Sequence, residues 1–345
     1  MAKRTPPSNG NGHAAADAPI RPLDRVPESE PTSSPLRLPV LKTYKLYIGG
    51  KFPRSESGRY DVVRGTDGQP LANVSKASKK DFRDSVVAAR AAQAGWAKRS
   101  AYNRAQILYR IAEMLEGRSA QFVEELLSAG AASAAGVAGK GDATRTAAKA
   151  APTASDATRE VQAAVDRLVY YAGWADKYTQ VFSGVNPVAS SHFNFSLHEP
   201  TGLVVIVAPD APALLGLVTL VSAAIVGGNS TIVLASETNP LPAVTLSEVL
   251  ATSDLPGGVV NILAGQRAEL IEHFASHMDV NAVVYGASGA GEDREQLRKL
   301  QQLAANNVKR VVQTKIADYY AERAESPYLI LDTQEVKTTW HPVGT

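Results

Sequence analysis

Few residues in this chain could do chemistry, and their pattern excludes more than it offers. There is no cysteine. That removes disulfides, thiolate metal sites and a cysteine nucleophile together. A serine nucleophile needs an adjacent base, and no spacing supplies one. His273 and His277 stand four apart on a predicted helix, the separation of a metal-binding pair. Without a third ligand they read as a polar helix face, and no metal is expected. Lysine and arginine number 36 against 34 aspartates and glutamates, for a formal net charge of +2. Such a balance points neither to nucleic acid nor to an anionic membrane. The partly basic runs Lys76–Lys80 and Arg294–Lys299 read as solvated faces.

The elements that must position any site are clearest between Glu199 and Gln313. Leu203–Val207 is a short β-branched run closed by Pro209, the pattern of a buried parallel strand. Leu214–Val226 is longer, almost wholly apolar and stopped by Gly227 and Gly228, so it reads as a buried helix. The alternation repeats, with strands at Thr231–Leu234, Val259–Leu263, Ala282–Tyr285 and Arg310–Gln313. Helices fall between them at Leu241–Thr252, Ala268–Ser276 and Glu292–Ala305. This predicts an α/β fold with a doubly wound parallel sheet, whose ligands bind at the carboxyl ends of the strands.

The flanking chain is more varied. Residues 1–43, rich in Pro, Ser, Ala and Gly, read as a disordered tail. Tyr44–Phe52 reads as a hairpin turning at Gly49-Gly50, and Leu71–Val74 as the next strand. Helices are predicted over Lys80–Ala94, closed by Gly95-Trp96, and over Asn103–Leu115, with Ile107, Leu108, Ile111, Met114 and Leu115 on one stripe. Another is predicted over Gln121–Leu127. Residues 129–155 lack apolar periodicity and read as a low-complexity insertion. Thr158–Gln180 is a further helix, capped by Ser155 or Asp156. Ser191–His198 alternates with Phe193, Phe195 and Leu197 on one face, and Thr333–Trp340 is a second alternating strand with Val336, Thr338 and Trp340. A few such strands cannot bury both faces alone. With Tyr319, Tyr320 and Tyr328, these aromatic and apolar residues read as an association surface. No run is long enough to span a bilayer, Leu214–Val226 being of core-helix length. No continuous apolar signal region opens the sequence, so the default expectation is cytoplasmic.

Several blocks carry a resemblance. Glu199-Pro200-Thr201-Gly202, Gly228-Asn229, Glu237 with Pro240, and Asp254-Leu255-Pro256-Gly257-Gly258-Val259-Val260-Asn261 resemble the nucleotide-binding domain of aldehyde dehydrogenases. The resemblance implies a Rossmann-type nucleotide-binding-like domain over 44–182 and 200–315, and a small β oligomerisation arm over 183–199 and 316–345. In the family a whole catalytic domain lies between the last sheet strand and the terminal arm strand. Here about twenty residues separate them, so the catalytic domain is expected to be absent.

An aldehyde dehydrogenase needs a thiolate nucleophile, a carboxylate base and an oxyanion donor. The thiolate has no candidate. After Asn307-Val308-Lys309-Arg310-Val311, Thr314 falls where the resemblance places the glutamate base. In Ala208-Pro209-Asp210-Ala211-Pro212, Asp210 takes the place of the oxyanion asparagine, and a carboxylate would repel an oxyanion. Of the lysine and glutamate that grip the adenosine ribose in the family, Leu234 replaces the first and Glu237 keeps the second. In Tyr285-Gly286-Ala287-Ser288, Gly286 and Ser288 remain, while Ala287 replaces a glycine. A residual NAD site would therefore use Glu237, Gly286 and Ser288. The nearest likeness is to the non-catalytic second module of the long two-module aldehyde dehydrogenases. It implies a non-catalytic subunit that pairs through its arm with a catalytic aldehyde dehydrogenase. The alternatives are an NAD-binding subunit of an aldehyde-oxidising complex and a homo-oligomeric scaffold.

Overall fold

Five short strands rich in β-branched residues form the centre of the computed structural model, which describes residues 40–65, 68–130, 152–286 and 291–344. Numbered in chain order, they are β6 (Leu203–Val207), β7 (Ser230–Leu234), β8 (Val260–Leu263), β9 (Ala282–Tyr285) and β10 (Arg310–Gln313). All four ladders are parallel, and the order is β10-β9-β6-β7-β8. The chain winds outward from β6 in one direction and then restarts beside it at β9. The order reverses between β6 and β9, the place where such sheets open a crevice.

Every residue of β6 to β9 is buried, as expected of strands covered on both faces. Alternate residues divide between two cores. Val205, Val207, Ile232 and Tyr285 pack with Phe82, Val86, Leu270, Phe274 and Leu300. Those partners lie on α1 (Lys79–Ala97), α8 (Arg267–Ser276) and α9 (Glu292–Ala304). Val204, Ile206, Val233 and Val284 face the larger core. It is built by α2 (Ala101–Glu116), α3 (Ser119–Gly130), α4 (Ala154–Trp174), α6 (Ala213–Val226) and α7 (Leu241–Ala251). All of α6 is buried, so it needs no polar face.

The predicted strands and helices of this sheet match the structure to within about a residue or two at their ends. Other expectations need correction. The turn at Gly49-Gly50 is present, closed by an isolated bridge of Ile48 with Lys51, but residues 45–52 form no regular strand and make one further bridge, Tyr47 with Ile262. The regular strands there are β1 (Lys42–Tyr44), β2 (Tyr60–Arg64) and β3 (Pro70–Ser75), in the order β1-β3-β2. Residues 42 and 43, assigned to the tail, therefore belong to a strand; 1–39 lie outside the described residues. The first helix does not stop at Gly95-Trp96. Trp96 is buried and donates its indole N–H to the Ile225 carbonyl at 2.8 Å, which holds the last turn in place. Arg104, not among the stripe residues, is also buried, with its guanidinium on the Val226 carbonyl at 2.9 Å. Of the insertion at 129–155, residues 131–151 lie outside the described residues. Thr153 caps α4, with Asp156 at its third position closing a capping box. A short helix, α5 (Tyr178–Phe182), follows α4 separately.

The remaining elements form a second sheet. β4 (Gly184–Asn186), β5 (His192–Pro200) and β11 (Gln334–Pro342) are antiparallel in the order β11-β5-β4. Residues 314–333 join β10 to β11 and hold a 3-10 turn (Glu322–Ala324) and one turn of α-helix, α10 (Tyr328–Leu331). No helix among the described residues is long and apolar enough to cross a membrane.

Candidate functional site

The carboxyl ends of β6, β7 and β8 lead into Ala208-Pro209-Asp210, Ser236-Glu237 and Gly265-Gln266-Arg267, and these loops meet. Arg267, first residue of α8, is 3% exposed. Its guanidinium bonds Asp210 at 2.8 Å, Asp293 at 3.1 Å and the Ala208 carbonyl at 3.1 Å. Its backbone N–H donates to the Glu237 carboxylate. Burial pulls the proton affinity of Arg267 down, but Asp210, Glu237 and Asp293 outweigh it and the net shift is upward. Burial also raises Glu237, against the lowering influence of the Arg267 amide and guanidinium.

Asp210, at the expected oxyanion position, turns into this cluster. Its Oδ1 accepts from the Glu237 N–H at 2.9 Å and the Ser236 hydroxyl at 3.1 Å, besides Arg267. Thr314, at the expected base position, is held by its N–H on the Tyr285 carbonyl at 3.0 Å. Its buried hydroxyl has no hydrogen-bond partner among the described residues. A threonine hydroxyl does not take a proton at neutral pH as a carboxylate does.

The three expected cofactor positions fare differently. Glu237 is present but engaged by α8. Gly286 donates to the Val207 carbonyl at 2.8 Å. A Cβ placed there would lie 2.6 Å from the Leu220 side chain and 3.1 Å from the Pro209 ring, so the glycine admits neighbouring protein atoms. Ser288 lies outside the described residues. His273 and His277 do not form part of a metal cluster, and no group of three or more His, Cys, Asp or Glu suited to a metal occurs among the described residues. Arg267 and Asp293 carry no motif and were not anticipated; the only signal was a basic residue at a helix N-terminus, where the dipole disfavours one.

The second sheet brings the expected interface residues together only in part. Residues directly opposite in an antiparallel ladder share a face. The register pairs Phe193 with His341, Phe195 with Thr339 and Leu197 with Lys337. It pairs Asn194 with Trp340, Ser196 with Thr338 and His198 with Val336. Phe193, Phe195 and Leu197 therefore lie on one face, and Val336, Thr338 and Trp340 on the other. The phenylalanine rings sit 5.5 Å apart, centre to centre. The second face carries a polar ladder across three strands, Asn186 to Ser196 at 2.9 Å and Ser196 to Thr338 at 2.9 Å. Val336 is 61% exposed and Trp340 57%. β11 pairs only with β5 among the described residues, so one of its edges is open. Tyr319 and Tyr320 do not join this surface. Tyr319 is buried, and Tyr320 lies under the Arg159 guanidinium at 4.4 Å from its ring centre. Tyr328 is exposed and packs on Phe182.

The link 314–333 is itself part of the packed fold. Arg167 on α4, 2% exposed, donates to the Tyr319 and Ala324 carbonyls at 3.0 Å each and to the Thr219 hydroxyl at 2.8 Å. The hydroxyls of Tyr170 and Tyr171 donate to the carbonyls of Glu325 and Ser326. At the far end Asn229 bonds the Thr333 carbonyl at 3.0 Å and receives the Gly202 N–H at 2.9 Å, tying β11 to the first parallel strand.

Comparison with known proteins places this geometry. Residues 52–151 and 142–314 match the family described as "Aldehyde dehydrogenase family". The chain is 32% identical to 2-hydroxymuconic semialdehyde dehydrogenase of Pseudomonas sp. strain CF600, over 73% of this chain and 49% of that protein. It is 27% identical to aldehyde dehydrogenase family 2 member B4, mitochondrial, of Arabidopsis thaliana, over 95% of this chain and 52% of the other. Among solved structures, an NAD+ complex of aldehyde dehydrogenase from Bacillus cereus superposes with a TM-score of 0.66 at 23% identity, covering 79% of this chain and 50% of that one. The chain spans about half the length of the curated relatives it matches.

Proposed function

We propose, from the premise that this chain belongs to the aldehyde dehydrogenase family, that it is a shortened, non-catalytic member. It assembles through β4, β5 and β11 with a catalytic aldehyde dehydrogenase, in a structural or regulatory role. The observation that carries this reading is the link 314–333. It runs from the last parallel strand straight into β11, and it is anchored by buried Arg167 as a finished piece of the fold. The catalytic elements fit the same reading. The sequence offers no thiol. Asp210 is bound into an ion-pair cluster and would oppose an oxyanion. Thr314 cannot serve as a base.

The second sheet supplies the means of association. β11 is long and open along one edge, and it displays Val336 and Trp340 to solvent. An open edge of this length favours pairing with another chain. Lys337 and Glu335 on the same strand disfavour indiscriminate pairing. The partner is a cysteine-bearing member of the family; pairing of β11 with a second copy of this chain is the competing arrangement. The test is an assay of the pure chain with aldehyde and NAD, followed by addition of a catalytic aldehyde dehydrogenase from the same cell. The expected result is no NADH from the chain alone and a stable complex of higher mass on mixing. Turnover by the pure chain contradicts the non-catalytic part. A mass that rises without any partner favours self-pairing.

A further inference from the structure

The fold implies a dinucleotide at the crevice between β6 and β9, and this chain's own side chains converge there. In such folds the helix N-termini at the strand ends receive the ligand's anionic groups. Here internal carboxylates already serve them. The first amides of α6, on Leu214 and Leu215, donate to Glu160 at 2.8 and 3.3 Å. The first amide of α8 donates to Glu237. The first turn of α9 carries Asp293, bound to Arg267. The buried guanidinium of Arg267, which could otherwise meet a phosphate, is spent on Asp210, Asp293 and the Ala208 carbonyl. The space beside Gly286 is filled by Leu220 and Pro209.

We infer that the crevice is liganded by the chain itself: Asp210, Glu237 and Asp293 around Arg267 take the place of a bound anion, and the residues present do not fit a dinucleotide. The exclusion is electrostatic as well as steric. Three carboxylates act on the guanidinium where a phosphate would have to meet it, and each of them repels phosphate. A buried guanidinium with two carboxylate partners does not release them without leaving charges unpaired, which keeps the cluster closed. The upward shift of Arg267 under these carboxylates agrees with a tightly held pair. This inference stands apart from assembly through the second sheet. A chain that fails to find a partner can still have a closed crevice, and the reverse holds too.

The test uses the full chain with ADP and inorganic pyrophosphate as probes, read by titration calorimetry and thermal shift. The wild-type chain is expected to give a flat titration and no shift at millimolar probe. The double variant Asp210→Asn, Asp293→Asn keeps shape, removes the competing charge and frees Arg267. Its affinity for pyrophosphate is expected to rise by roughly tenfold or more, the scale of one charge contact. Circular dichroism establishes that it is folded. If it does not fold, Glu237→Gln alone carries the test, with a smaller gain expected. Two results overturn the inference. One is submillimolar binding by the wild-type chain that Arg267→Met abolishes, which makes Arg267 a ligand-binding residue. The other is a folded neutralised variant as unresponsive as the wild type.

Discussion

Arg167 offers the sharpest test of whether the link 314–333 is a built part of this molecule. Replacing it with Met keeps the hydrocarbon body of the side chain and removes the guanidinium. Thr219 keeps a partner, because its hydroxyl also donates to the Leu215 carbonyl at 2.6 Å. The carbonyls of Tyr319 and Ala324 lose theirs in a buried setting. Each buried group left unpaired costs about 1–3 kcal/mol. The Glu325 contact, 3.8 Å away and partly exposed, adds little. The variant should therefore lose about 4 kcal/mol, taken from the middle of that range for two carbonyls. Urea denaturation reads the global loss. Hydrogen exchange reads the place: the amides of Ala324 and Glu325, bonded within the link at 2.9 and 2.8 Å, should exchange faster than those of β6. Arg167→Lys should recover part of the loss, since it keeps the charge with fewer donors. A stability within about 1 kcal/mol of wild type, or unchanged exchange across 319–326, refutes the reasoning.

Two further expectations concern buried ionisable groups. Glu125 on α3 is buried, and its Oε1 accepts from Thr245 at 2.6 Å, Gln121 at 3.1 Å and Tyr44 at 3.3 Å. Burial raises its proton affinity above the ordinary value of 4.5, against the lowering effect of those donors. A raised carboxylate costs stability as pH climbs past its unfolded value, because the folded state then holds more protons. Glu125→Gln keeps an acceptor for all three donors and should remove that acid-side pH slope while leaving stability at neutral pH equal or higher; a loss above about 1 kcal/mol contradicts this. Lys309 donates to the Phe274 and His277 carbonyls at 3.2 and 2.7 Å, and burial lowers it to about 8. Here the unfolded state holds more protons between about 8 and the model-compound value of 10.5, so stability should rise with pH across that window. Lys309→Met should lack the rise, and an identical slope in both proteins sinks the assignment.

How much of this was legible beforehand depends on the kind of signal. The parallel sheet was legible because burial on both faces leaves unbroken apolar runs, and glycines or prolines stop them. β2 was missed because Tyr60–Arg64 is exposed and its alternation is masked by Asp61 and Arg64. The start of α4 was misplaced because three residues within one turn, Thr153, Ser155 and Asp156, all have capping side chains; the reciprocal bonds of Thr153 and Asp156 decide it. The faces of β5 and β11 could each be read from alternation, but which faces coincide depends on register, and one residue of shift exchanges them. The Arg267 cluster was invisible for a different reason. Its members come from positions 210, 237, 267 and 293, and only the strand order brings those loops to one place. The family-based expectations at Asp210 and Glu237 each identified a residue of that cluster, but neither Arg267 nor Asp293.

The claim on which the account turns is that this chain pairs through its second sheet with a catalytic member of its family. Native mass spectrometry of the two purified chains, mixed at equal concentration, measures that directly. The expected spectrum contains a complex holding both chains, and Val336→Asp with Trp340→Glu, on the exposed face of β11, should abolish it while leaving each chain folded. A spectrum showing only the separate chains, or a complex indifferent to those two substitutions, contradicts the account.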